Sequence, residues 1–188
     1  MITASVFCLK GVPAAKKVSL SVVILRDRVE ATGGTPVVST DSVEKAWKVA
    51  NERYAQVGVK VNVTSIAVKD PPVGVDLTDG SVTVSSSVEA RPLAWETKNL
   101  IRLLGTEGTS SDIHVFYVNA LEIGEDPDAA GGIALADFYY GDTDAAYVNN
   151  LLIKAHPSMP WAGYAAAHEL GHFAHERRPS GLKQRFVS

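Results

Sequence analysis

The chain has 188 residues, 46% hydrophobic and 21% charged, which is enough apolar mass to bury the core of one globular domain. A net charge of −3 and a pI near 5.9 argue against a nucleic acid or an anionic membrane as partner. The single cysteine, Cys8, excludes an internal disulfide framework and reads as a small buried apolar residue.

Residues 1–17 form an N-terminal segment whose lysines follow its short apolar run, the wrong order for a secretory signal. No apolar run approaches the ~20 residues that cross a bilayer, so a soluble protein is expected. The domain itself is expected over 18–178. It opens with "VSLSVVILRD" (18–27), uninterrupted and β-branched like a strand covered on both faces. After the turn-rich "ATGGTPVVST", Asp41 is the expected cap of a helix, with Glu44 three residues on. Val43, Ala46, Trp47, Ala50, Tyr54 and Val57 follow helical spacing, and Gly58 is the expected stop. "VKVNVTSIAVKD" (59–70) alternates as a strand with one wet face, and 80–89 reads as an edge hairpin. A second helix is expected from near Pro92 to Gly105, with Leu93, Leu100, Ile101 and Leu104 as its apolar stripe. Strands are then expected at 112–121, 131–140 and 145–153, and a last helix from near Pro160. This order predicts an α/β fold, with helices packed on a mixed, mostly parallel sheet in which at least one late strand is joined by a turn too short for a parallel crossover. The tail at 179–188 is basic, without apolar periodicity, and is expected to be flexible.

The chemistry lies in the last helix, "AAAHELGHFAHER" (165–177). His168 and His172 are four apart, about 400° around a helix, so both imidazoles leave one face a turn apart and can converge on a cation. Glu169 lies about 100° round and can lean over that ion. A carboxylate there can take a proton from a water that zinc has acidified to a pKa near 7. Zinc also polarises a scissile carbonyl, so amide hydrolysis needs no serine or cysteine nucleophile. The plainer alternative is a surface helix with two solvated histidines.

The helix "GYAAAHELGHFAHE", the preceding "GGIALADF", the "AYVNN" stretch and the strand–helix–strand opening resemble the N-terminal lobe of metzincin-type zinc peptidases, from about Val18 to His175. The resemblance implies zinc as cofactor, His168 and His172 as ligands, Glu169 as the catalytic base and a peptide or protein substrate. It also implies an edge strand antiparallel to the bound peptide, which would set Ile133, Ala134 and Leu135 beside the substrate. Extracellular action is suggested by that family alone.

The departures bear on the third ligand. Where the family continues with a glycine and then a histidine or aspartate, this chain has His175 and Arg178, and arginine cannot ligate zinc. The family's methionine turn has no counterpart, since Met1 and Met159 both precede the motif. Against that pattern the C-terminal lobe is nearly absent, through truncation, an altered reading frame or divergence. His175 shares a face with His168 but stands about 10 Å along a regular helix, so it joins the site only if the helix unwinds after Ala174. His156 and His114 are weaker candidates, and His114 reads as a core histidine. Two protein ligands alone would hold zinc weakly. A non-catalytic metal-binding or protein-interaction module is therefore the second expectation. Finally, 103–153 contains nine acidic residues and no lysine or arginine. Its densest parts, "EIGEDPD" and "GDTD", could wrap a structural calcium, but they lack calcium-loop spacing and read more simply as solvated turns.

Overall fold

A computed structural model describes residues 16–27, 34–72, 81–105, 112–126, 130–157 and 159–175. Cys8, most of the N-terminal segment and the basic tail lie outside these residues. The fold is α/β. Its main sheet has five strands: β1 (Lys16–Leu25), β2 (Val59–Lys69), β4 (Ile113–Val118), β6 (Gly132–Leu135) and β7 (Asn150–Lys154). They run in the order β2-β1-β4-β7-β6, and every neighbouring pair is parallel except the antiparallel β6–β7. A second, two-stranded parallel sheet joins β3 (Ser81–Ser85) to β5 (Ala120–Ile123).

Helices α1 (Thr40–Ala55) and α4 (Met159–His175) cover one face of the main sheet, and α2 (Trp95–Leu104), α3 (Asp137–Asp144) and the small sheet cover the other. Strand alternation explains this division. Leu20, Val22 and Ile24 of β1 meet Trp47, Ala50, Ala166 and Leu170 on the first face, while Val23 and Leu25 meet Leu100, Phe116 and Leu135 on the second. The uninterrupted apolar runs of β1, β4 and β7 are thus the signature of a sheet buried on both sides. Each fully buried leucine or isoleucine there contributes about 1.5–3 kcal/mol of transfer free energy. No helix among the described residues is long and apolar enough to cross a membrane.

Several expected boundaries shift for identifiable reasons. Helix α1 is capped by Ser39, whose extended backbone lets its hydroxyl accept from the Ser42 amide at 3.1 Å. Asp41 instead sits in the first turn, where it favours the helix dipole and pairs with Lys45 at 2.6 Å. Val57 falls beyond the helix and is exposed, while Gly58 supplies the left-handed turn (φ +73°) into β2. The expected 80–89 hairpin is a single strand, because β3 takes its partner from β5 far along the chain. The expected 112–121 strand breaks at Asn119, β4 staying in the main sheet and β5 crossing to the small one. The aromatic run after β6 is the helix α3, and 145–147 is a 3-10 turn before β7. The sheet is mixed as expected, but its antiparallel pair is joined through α3 and that turn, not by a short turn.

Candidate metal centre

Helix α4 is held at close range to α1. A Cβ added at Gly163 would lie 2.8 Å from the Val49 Cβ, and Tyr54 Oη donates to the Ala167 carbonyl at 2.8 Å. Ala162, Ala166, Leu170 and Phe173 form the buried stripe at helical spacing. His168 and His172 point the other way and are exposed, with ring centroids 5.1 Å apart and ring planes nearly perpendicular (88°). Glu169 lies between the stripe and the histidines and is only 8% exposed. Ligating atoms of all three residues lie within 4.8 Å of one another, the one such group among the described residues.

The donor chemistry suits zinc, which takes imidazole nitrogens at about 2.0–2.1 Å. Tetrahedral ligation would put the two nitrogens roughly 3.3 Å apart, a separation that small rotations of two exposed rings can reach. Two nitrogens and a neighbouring carboxylate make part of a catalytic set; three protein ligands are the rule. Helix α4 is still helical at His175, so the backbone has not unwound before that residue, and the His175 side chain lies outside the described set. His114 stands elsewhere, on β4, with its Nδ1 2.6 Å from the hydroxyl of its cross-strand partner Ser21, and burial lowers its pKa. His156 sits edge-on to Trp161 before α4, with 6.4 Å between centroids.

The second wall of the site is β6, the edge of the sheet. The Lys154 amide donates to the Gly131 carbonyl at 3.0 Å, and the register then pairs Ile133 with Leu152. Bonded pairs recur at every second residue of an antiparallel ladder, so the Gly132 and Ala134 amides point away from β7. The Ala134 amide donates to the Glu169 carboxylate. Burial pushes the Glu169 carboxyl above its ordinary range, an effect that His168 and the Ala134 amide oppose only in part.

Between β6 and α4 opens a cleft of about 430 Å³ that reaches Ile133, Ala134, Glu169 and His172 and continues to the aromatic residues 138–140. The Leu135 side chain is wholly buried in the second core and its carbonyl accepts from the Asn149 amide at 2.9 Å, so it offers the cleft no side chain. Two contributors escaped the sequence reading. Gly132 lies so close to Glu169 that a Cβ there would stand 2.6 Å from the glutamate Cγ. The aromatic run has the residue types of a strand, although Asp137 ahead of it is the kind of residue that opens a helix.

The acidic run serves partly as internal anchorage. Asp144 of "GDTD" is buried, paired with Lys98 Nζ at 2.6 Å, and accepts from the Leu93 amide at 3.0 Å. Glu122 accepts from the Ser81 and Thr83 hydroxyls at 2.7 and 3.4 Å. Residues 127 and 128 of "EIGEDPD" lie outside the described set. No protein-family model matches this chain, and no curated protein matches it in sequence.

Proposed function

We propose that this chain is a metzincin-like zinc peptidase domain that hydrolyses peptide bonds in extended substrates. The observation that carries this reading is the position of Glu169. It is buried against the edge strand, takes the Ala134 amide, and lies beside two exposed histidines whose nitrogens can share one cation. His168 and His172 would hold the ion, with His175 as the third candidate. Zinc, when bound, supplies Lewis acidity, which makes water a competent nucleophile and draws electrons from a scissile carbonyl. Glu169, with its affinity for protons raised by burial, is suited to accept a proton from that water and return it to the departing amine. The outward Gly132 amide and the outward carbonyls of β6 would pair with the substrate backbone, a mode of recognition that selects extended peptides over folded segments.

The test is zinc content after chelation and re-addition, in this chain and in His168→Ala at equal concentration. One zinc per chain, lost in the variant, is the expected result, followed by peptide cleavage that Glu169→Gln abolishes. Absence of zinc from both proteins would refute the proposal. A second reading, a module that binds zinc or a protein partner without cleaving, is favoured because the donor group among the described residues leaves only two histidines as ligands once Glu169 is kept as a base. Zinc uptake with no cleavage of any peptide would select it.

A further inference from the structure

The cleft does not end at Glu169. It follows β6 to three consecutive aromatic residues, Phe138, Tyr139 and Tyr140, at the start of α3. Tyr140 is fully buried. Tyr139 is fastened on three sides: its hydroxyl donates to the Glu89 carbonyl (2.6 Å), its carbonyl accepts from Arg91 Nη1 (2.8 Å), and the Arg91 guanidinium carbon lies 3.8 Å from its ring centroid. Phe138 stands edge-on to that fixed ring, with centroids 6.5 Å apart, yet 64% of its surface is exposed. A large apolar ring thus stands exposed beside the cleft and edge-on to a fastened one, a setting suited to an anchoring contact. Among the described residues lining the cleft, the carboxylate of Glu169 and the imidazole of His172 lie at its metal end, and the far end is lined by aromatic and aliphatic side chains.

We infer that the far end of this cleft is a subsite for an aromatic or large aliphatic side chain, contributed by a peptide residue on the N-terminal side of the bond held over His168 and His172. The inference rests on the peptidase reading and adds to it the class of substrate. Its direction follows from the sheet. β6 runs from Gly132, beside Glu169, toward Leu135 and α3, so a peptide added antiparallel runs the opposite way. The peptide residue that reaches Phe138 therefore precedes those beside Glu169. Ile133 and Ala136 complete an apolar wall around it.

The test uses short peptide hydroxamates on the zinc-loaded full chain, in which the hydroxamate takes the metal and two residues extend on its N-terminal side. The outer residue is varied among phenylalanine, leucine, alanine, aspartate and lysine, and affinities are measured by calorimetry. Acetohydroxamate, which has no side chain to reach the cleft, reports the metal alone. Phenylalanine and leucine should bind roughly ten to a hundred times more tightly than alanine, as expected for burial of one large apolar side chain, and aspartate and lysine should gain nothing over alanine. Phe138→Ala should remove most of that preference, and Phe138→Leu should keep it. A flat ranking, or one that Phe138→Ala leaves unchanged, would overturn the subsite while leaving the metal reading intact. If acetohydroxamate binds no better with zinc than without it, the peptidase reading fails. The subsite, defined by its place beside the metal, then falls too.

Discussion

Gly132→Ala is the most incisive perturbation of the site, because it changes one methyl group and touches neither histidine. The new Cβ would lie 2.6 Å from Glu169 Cγ, 3.2 Å from Cδ and 3.3 Å from Oε1. Carbon atoms in contact prefer about 3.5–4.0 Å, so the glutamate must retreat by about 1 Å. It has little room, since its helix is pressed against α1 at Gly163 and its carboxylate is held by the Ala134 amide. Overpacking of this kind costs about 1–3 kcal/mol, while replacing glycine by alanine where the backbone permits it returns about 0.4–1 kcal/mol through the unfolded state. A net loss of about 1–2 kcal/mol follows, which in a domain of this size lowers Tm by about 2–8 °C. Gly131→Ala is the matched control, for a Cβ there meets nothing within 4 Å. Urea and thermal unfolding of both variants should show the loss in Gly132→Ala alone, and the loss should vanish in a Glu169→Ala background, where the clash has no partner. In an active enzyme, displacement of the base by that amount should lower kcat about 100-fold with zinc still bound. Equal stability of the two glycine variants, with no coupling to Glu169, would refute the reasoning.

Three further outcomes are expected. Glu169→Gln should bind zinc as the parent does while peptide cleavage falls about 10²–10⁴-fold, measured with a quenched fluorescent peptide; unaltered cleavage would remove Glu169 from its role. Asp144→Ala should destabilise the fold by about 2–4 kcal/mol in urea, because it leaves the Leu93 amide and Lys98 without their buried carboxylate; a loss below about 0.5 kcal/mol would contradict the anchoring role. The stability of the parent chain should fall relative to His114→Gln as pH drops through 6.5. Burial lowers the folded-state pKa of His114 below that ordinary value, so the unfolded chain takes up a proton that the native histidine refuses. Parallel pH–stability curves for the two proteins would show that His114 makes no such contribution.

How legible the fold was depended on whether its causes were local. Strands β1, β4 and β7 announce themselves because burial on both faces leaves them apolar throughout, and α1 announces itself through the spacing of Val43, Ala46, Trp47 and Ala50. What the sequence concealed is set by contacts between distant residues. Helix α3 carries an aromatic run with strand-like propensity, and its last residue, Asp144, is fixed by Lys98 on α2 and by Leu93 on the loop before it, both far back along the chain. The break at Asn119 is likewise invisible until β3 presents a partner for β5. At the site, the four-residue spacing of His168 and His172 declares a shared face by helical geometry alone. The contact of Gly132 with Glu169 cannot be read from the sequence, since a glycine beside another glycine in a strand carries no mark of what crosses over it. The alternation of β6 does say that Leu135 faces opposite to Ala134, and the structure shows where: inside the second core.

Strand β6 is four residues long and ends where Ala136 starts a helix. An open sheet edge is a template for any extended chain, including the edge of another copy, and long flat edges are where proteins polymerise. Four residues give only two outward amides, and one of these, Ala134, already serves Glu169. Such an edge offers any extended chain only a short register and is too brief to hold a second sheet in place. The brevity of the strand thus works against irreversible self-association.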